Sequence, residues 1–256
     1  MRLQTMAKAQ APFFVGWGKI PKDLVQFLLI SVVSFLIGSG VVAYAISATQ
    51  TDTGGGAFMG QAKAIGILRA DPYPVLHVIE SANFERGDTI LLTGGGKRGV
   101  FDQAAGLDGM VVEAAGLRLE RGDLNGMQLR NGTRGLKAAE NPDASFAPET
   151  VPLGRWKLTG EICDGKCLNG AMRPGRGLAH RACANLCLIG QVPPVFVSSG
   201  PVDGHEFLLM ANADGGPLTD EILDFTAIFV EVEGDVERRG DMLVFKIAPE
   251  TIKVAP

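Results

Sequence analysis

From Leu24 to Ser47 the chain reads LVQFLLISVVSFLIGSGVVAYAIS, a run that carries no charge. A helix rises about 1.5 Å per residue, so this run is long enough to cross a hydrocarbon core of about 30 Å. The sequence therefore predicts a transmembrane helix over 24–47. Flanking charge orients it. Arg2, Lys8, Lys19 and Lys22 precede the run, opposed by Asp23, and the next basic residue after it is Lys63. Basic residues stay on the cytoplasmic side, which makes residues 1–23 a cytoplasmic stub and places everything after Ser47 on the periplasmic side of a bacterial inner membrane. A cleaved signal peptide is the competing reading, because Ala43-Tyr44-Ala45 resembles a small-residue cleavage site. The run exceeds the roughly 7–15 apolar residues of a signal core, so a retained single-pass anchor is expected. Phe13-Phe14-Val15-Gly16-Trp17 before the run fits anchoring at the headgroups. Within the run, Ser34 and Gly38 lie four apart, a small-residue face that lets another helix approach.

The rest of the chain reads as a turn-rich β protein. Its 34 glycines stand against two Trp and two Tyr, which gives no aromatic binding stripe. A net charge of −4 gives no electrostatic footprint for nucleic acid. Residues 48–60 form a polar, Gly-rich linker. Beyond it the pattern V-E-x-x-G-x4-R-G-D occurs twice, from Val112 to Asp123 and from Val230 to Asp241. Looser matches precede it: Ile65-Gly66 with Thr159-Gly160, Pro74-Val75-Leu76 with Pro194-Val195-Phe196, and Ile90-Leu91-Leu92 with Phe207-Leu208-Leu209. Several matches in one order point to two copies of one domain. Alternation over Ile228 to Val236 and Met242 to Ile247 around a tight Arg-Arg-Gly-Asp turn is a hairpin signal. Both R-G-D triplets read as turns, and Leu218 to Thr226 reads as a short helix with Asp220 and Glu221 near its start. The expected fold is mainly β: the transmembrane helix, then two tandem OB-like β-barrel domains at 61–140 and 156–256, joined by a linker at 141–155 that holds Pro142 and Pro148.

The copies differ by an insert at 163–190 in the second, and it contains every cysteine: Cys163-x3-Cys167 and Cys183-x3-Cys187, with His180 three residues before Cys183. Arg181 to Ile189 lacks breakers and reads as a short helix, which puts His180, Cys183 and Cys187 on one face. Cys163 and Cys167 flank Asp164-Gly165-Lys166, read as a turn. Three chemistries compete. Disulfides among Cys163, Cys167, Cys183 and Cys187 suit an exported, loop-rich insert without its own core. Thiolates with His180 suit a zinc, copper or other soft-metal site. Thiol–disulfide exchange is disfavoured because C-x-x-C is missing. His77 and His205 read as structural or surface histidines. Gly94-Gly95-Gly96-Lys97-Arg98 reads as a Gly-rich turn, since no Lys-Ser/Thr helix follows it as a phosphate loop requires. Asn131-Gly132-Thr133 fits a glycosylation sequon, relevant only in a eukaryote.

Thr159-Gly160-Glu161-Ile162, Asp164, Lys166-Cys167 and His180-x-x-Cys183-x-x-x-Cys187, followed by Gly190, Pro193 and Pro194, resemble a family of exported, membrane-anchored bacterial OB-like domains with a Cys…His-x-x-Cys-x-x-x-Cys insert. The resemblance covers about Trp156 to Val254. It implies that Cys167, His180, Cys183 and Cys187 matter more than Cys163, a position where the pattern needs no cysteine, and it implies no activity. No catalytic constellation is discernible. The expected function is a non-catalytic accessory subunit of an inner-membrane respiratory or other redox complex, needing no cofactor of its own. Its partners would be larger integral membrane subunits and an extracytoplasmic protein. The alternatives are a metal-binding or electron-transfer protein using the Cys/His cluster, and an envelope ligand-binding module.

Overall fold

The computed structural model describes residues 20–49, 54–140, 146, 148–218 and 220–255. The aromatic cluster from Phe13 to Trp17, the basic residues Arg2, Lys8 and Lys19, and Pro142 of the inter-copy linker lie outside the described residues.

Helix α1 (Lys22–Thr49) opens after Pro21, whose carbonyl accepts the Leu24 N–H at 3.0 Å. Asp23 in the first turn faces the positive end of the helix dipole. The side chains of residues 22–46 are exposed although most are apolar. By length and composition this helix can cross a membrane, as a span or as a signal sequence.

The residues beyond 52 form a second compact unit. It begins with β1 (Ala57–Arg69), β2 (Val75–Ser81), β3 (Thr89–Thr93), the short helix α2 (Phe101–Ala104), β4 (Val111–Arg121), β5 (Leu124–Leu129) and β6 (Leu136–Ala138). Then come β7 (Thr150–Asp164), α3 (Arg181–Ile189), β8 (Pro194–Val202), β9 (His205–Asn212), β10 (Phe229–Arg239), β11 (Met242–Ile247) and β12 (Lys253–Val254). The first sheet runs β1-β2-β3-β5-β4-β6 and β1 also pairs with β4, so the ladder closes on itself. The second runs β11-β9-β8-β7-β10-β12 and closes likewise through β10 and β11. Each holds one parallel pairing, β3 with β5 and β9 with β11.

Register makes the correspondence concrete. Gly66 faces Val112 as Gly160 faces Val230, and Val75 faces Leu91 as Val195 faces Leu209. One sequence match needs correcting. The equivalent of Ile90-Leu91-Leu92 is Leu208-Leu209-Met210, because Ile90 pairs with Asn125 where Leu208 pairs with Leu243. Matching Ile90 to Phe207 is a one-residue slip, and in a strand that exchanges the inward and outward faces. The expected helix over Leu218 to Thr226 is a 3-10 turn, Asp220–Phe225.

Each closed ladder encloses its own core. Leu76, Val78, Ile90, Leu92 and Met127 fill the first, and Phe196, Leu208, Met210, Leu243 and Phe245 the second. The alternate residues of the same strands are buried too. Val75 and Leu91 pack with Val195, Val197, Phe207, Leu209, Met242 and Val244 in a third cluster drawn from both sheets. The two sheets are therefore pressed together through β2, β3 and their counterparts.

The repeated R-G-D turns hold that contact reciprocally. Gly122 and Gly240 take φ of +56° and +62° at the first position of two-residue turns, a conformation glycine adopts without strain. Arg121 reaches across and donates to the Leu168 carbonyl at 3.1 Å, while Arg239 donates to the Asp71 carbonyl at 2.8 Å. Each acceptor lies in the connection between the first two strands of the other sheet. Asp123 accepts from His205 Nδ1 at the start of β9, and Asp241 bonds Thr89 at the start of β3. Each triplet therefore ties its own sheet to the other.

His77 sits in this interface, 1% exposed, with Nδ1 3.0 Å from Thr89 Oγ1. Burial, reinforced by Arg69 and Arg239, lowers its pKa from 6.5 to about 4. The fold thus favours the neutral ring, and stability present above pH 6.5 is lost as pH falls toward 4. The loss reaches about 3 kcal/mol. Urea unfolding midpoints measured across that window should fall in the wild type and fall less in His77→Gln. Parallel curves would remove His77 as the cause.

Candidate metal centre

The site lies in residues 165–193, which connect β7 to β8, where the first sheet uses only residues 70–74. The chain leaves β7 at Asp164, makes a wide turn over Cys167–Ala171 and a 3-10 turn at Leu178–His180, and enters α3. Helix α3 spans the predicted residues, and its spacing brings Cys183 and Cys187 round to Cys167.

Asp164 organises the cluster. It is 0% exposed; one oxygen accepts the Cys167 N–H at 2.8 Å and the other lies 3.0 Å from His180 Nε2. A carboxylate can only accept, so the His180 ring donates from Nε2 to Asp164. Ligand atoms of Cys167, His180 and Cys183 lie within 4.8 Å of one another, and so do those of Asp164, Cys167 and Cys187. Cys167 belongs to both groups. Its thiol donates to Cys187, which raises the Cys167 pKa and lowers that of Cys187, with Lys97 and Lys166 also favouring the Cys187 thiolate.

Two lysines frame the sulfurs, and both involve the Gly94–Gly99 loop of the first sheet. Lys97 Nζ lies 2.7 Å from Cys183 Sγ and 3.9 Å from Cys187 Sγ, and the contact with Cys183 raises its pKa. Lys166 Nζ donates to the Gly94 and Gly96 carbonyls at 2.6 Å each, and burial lowers its pKa. Gly99 N–H donates to the Gly190 carbonyl at 2.7 Å. The Gly-rich turn is thus one wall of the centre. The wall residue Lys97 stands 86 residues from Cys183, and its sequence offered no sign of this role. Met172 was also missed; its sulfur lies 3.6 Å from Cys183 Sγ.

The disulfide expectation is not met: Cys163, Cys167, Cys183 and Cys187 are all free thiols. Cys163 is set apart by strand geometry. Neighbouring residues of a strand point to opposite faces, so while Asp164 joins the cluster Cys163 enters the core shared by the sheets and donates to Glu161 at 3.3 Å. Burial pushes its pKa well up. Residues 163 and 164 close a strand, so the turn read between Cys163 and Cys167 begins only at Gly165. His77 and His205 both lie at the contact between the sheets, away from the sulfurs.

Cysteine sulfurs and an imidazole nitrogen are soft donors suited to zinc or copper, and a carboxylate hydrogen-bonded to the ring is the usual support for a metal-binding histidine. No family model matches the chain, and neither a curated protein nor a solved structure is significantly similar to it, so the geometry of the site carries the functional reading.

Proposed function

We propose that this is a membrane-anchored metal-binding protein whose Cys167, His180, Cys183 and Cys187 hold one zinc-class ion on the periplasmic side of a bacterial inner membrane. One observation carries the reading: a fully buried Asp164 holds His180 through Nε2, and a ring nitrogen of His180 lies within 4.8 Å of the Cys167 and Cys183 sulfurs. Drawn onto one ion through their shared Cys167, these three sulfurs and one nitrogen would give a four-coordinate shell, the arrangement of a structural zinc site. The closed 1-2-3-5-4 strand order is that of an OB-like barrel, and the matching registers support two copies of one unit. OB folds bind ligands on the face of strands 2 and 3. Here that face of each copy is covered by the other, which weighs against an envelope ligand-binding module.

Full-length protein purified in detergent under reducing conditions should carry about one zinc-class ion per chain. Asp164→Asn should weaken binding by about 10–100-fold while leaving the chain folded. Fully reduced protein that binds neither zinc nor copper would sink the proposal; copper in place of zinc would change only the metal.

A second reading, an accessory subunit of an inner-membrane redox complex, draws support from α1. Space lies open beside Gly38 and Gly40 on an exposed apolar helix, so a neighbouring helix can approach closely there. Larger membrane subunits should then co-purify after mild extraction, and recovery of free monomer alone would count against it.

A further inference from the structure

Resting on the metal-site reading, we propose that Cys183 is the ligand open to oxidants, and that a hydroperoxide converts it to a disulfide with Cys167 and so expels the metal ion. Of the four cysteines, Cys183 alone is partly exposed; the other three are buried. Its surroundings are open as well. Met172, whose sulfur lies 3.6 Å from Cys183 Sγ, is 47% exposed, and Lys97 approaches the same sulfur from a solvent-exposed loop. Reactive cysteines occupy partly exposed positions beside a cation, whereas buried ones are inert.

Chemically, the Cys183 thiolate attacks one oxygen of hydrogen peroxide. An S–O bond forms, the O–O bond breaks, and hydroxide leaves; Lys97 Nζ is placed to supply that hydroxide with a proton. The sulfur is oxidised by two electrons to a sulfenic acid. The Cys167 thiolate, within 4.8 Å of Cys183, then attacks the sulfenic sulfur. An S–S bond forms, the S–O bond breaks, and a second hydroxide leaves. Two thiolates and one peroxide become a disulfide and two hydroxides, the first of which leaves as water once Lys97 has given up its proton. Cys187 also lies within 4.8 Å of Cys167, but peroxide reaches its buried sulfur second. Metal and disulfide, rivals in the sequence, become two states of one site.

The test uses reduced, zinc-loaded full-length protein in detergent, treated with hydrogen peroxide, with release followed by a zinc indicator and cysteines mapped by peptide mass spectrometry. Zinc should appear in step with a Cys167–Cys183 crosslink, about one ion per crosslink, and dithiothreitol should restore binding. Release with Cys183 unmodified, or a first crosslink that omits it, overturns the proposal. Because Cys183→Ser weakens metal binding, it is assayed metal-free, where peroxide consumption should drop at least about tenfold; consumption at the wild-type rate also overturns it. A chain that never binds zinc or copper defeats the metal reading instead, and the metal-free assay still reports whether Cys183 reacts first.

Discussion

Arg121→Ala should destabilise the extramembrane unit by about 3 kcal/mol, the upper range for a hydrogen bond made by a charged donor and lost from a buried site. Arg121 is 6% exposed, and its guanidinium meets the Leu168 carbonyl inside the contact between the sheets. Alanine would leave that carbonyl unpaired and open a hole against the wide turn that carries Cys167. The counterpart Arg239→Ala should cost less, about 1.5 kcal/mol, because Arg239 is partly exposed. Glu237, its ion-pair partner at 2.6 Å, keeps Lys246 at 2.7 Å. Both arginines close one interface, so the double variant should depart from the sum of the singles. Urea unfolding of the full chain in detergent measures all three, with exposed Arg134→Ala as the control expected within about 0.5 kcal/mol of wild type. An Arg121→Ala variant as stable as the control would mean that the repeated triplet is only a turn.

That clasp shows where sequence reading stops. The hairpin of β10 and β11, helix α3 and the apolar run of α1 were legible because each rests on local periodicity and turn chemistry. The apolar strands β3 and β9 were legible as strands, but a run buried on both sides does not say what covers its second face. The recurring Arg and Asp could be seen; their partners, Leu168, Asp71, His205 and Thr89, belong to the opposite half of the unit and lie far along the chain. Boundaries slipped for a related reason. β1 begins at Ala57 and β7 at Thr150, inside stretches read as linkers, because the opening halves of both strands pair only with β4 or β10 and keep many residues exposed. At the site, the local set His180, Cys183 and Cys187 was readable from helical spacing. Lys97 was not, since only the packing of the two sheets brings it to the sulfurs.

The largest effect expected at the site is that of Cys167→Ser, set against Cys163→Ser. Cys167 contributes to both groups of converging ligand atoms, so its loss removes the one sulfur common to them. A serine oxygen is a poor substitute for a soft thiolate, and metal affinity should fall at least about 100-fold. Stability then follows by linkage. An ion present at about 1,000 times its dissociation constant contributes about 4 kcal/mol to the folded state, which for a unit of this size is a melting shift of about 10 °C. Wild-type protein should lose that increment on chelation, and Cys167→Ser should start without it and not respond to chelator. Cys163→Ser should behave oppositely. Its side chain lies in the core shared by the sheets, hydrogen-bonded to Glu161, and a serine there can still donate to that carboxylate. It should cost about 1 kcal/mol through the more polar atom in an apolar setting, bind metal as tightly as wild type, and keep the full chelator-sensitive shift. Equal losses of metal affinity in the two variants would show that the strand-end cysteine belongs to the centre, and that the alternation of β7 does not separate them.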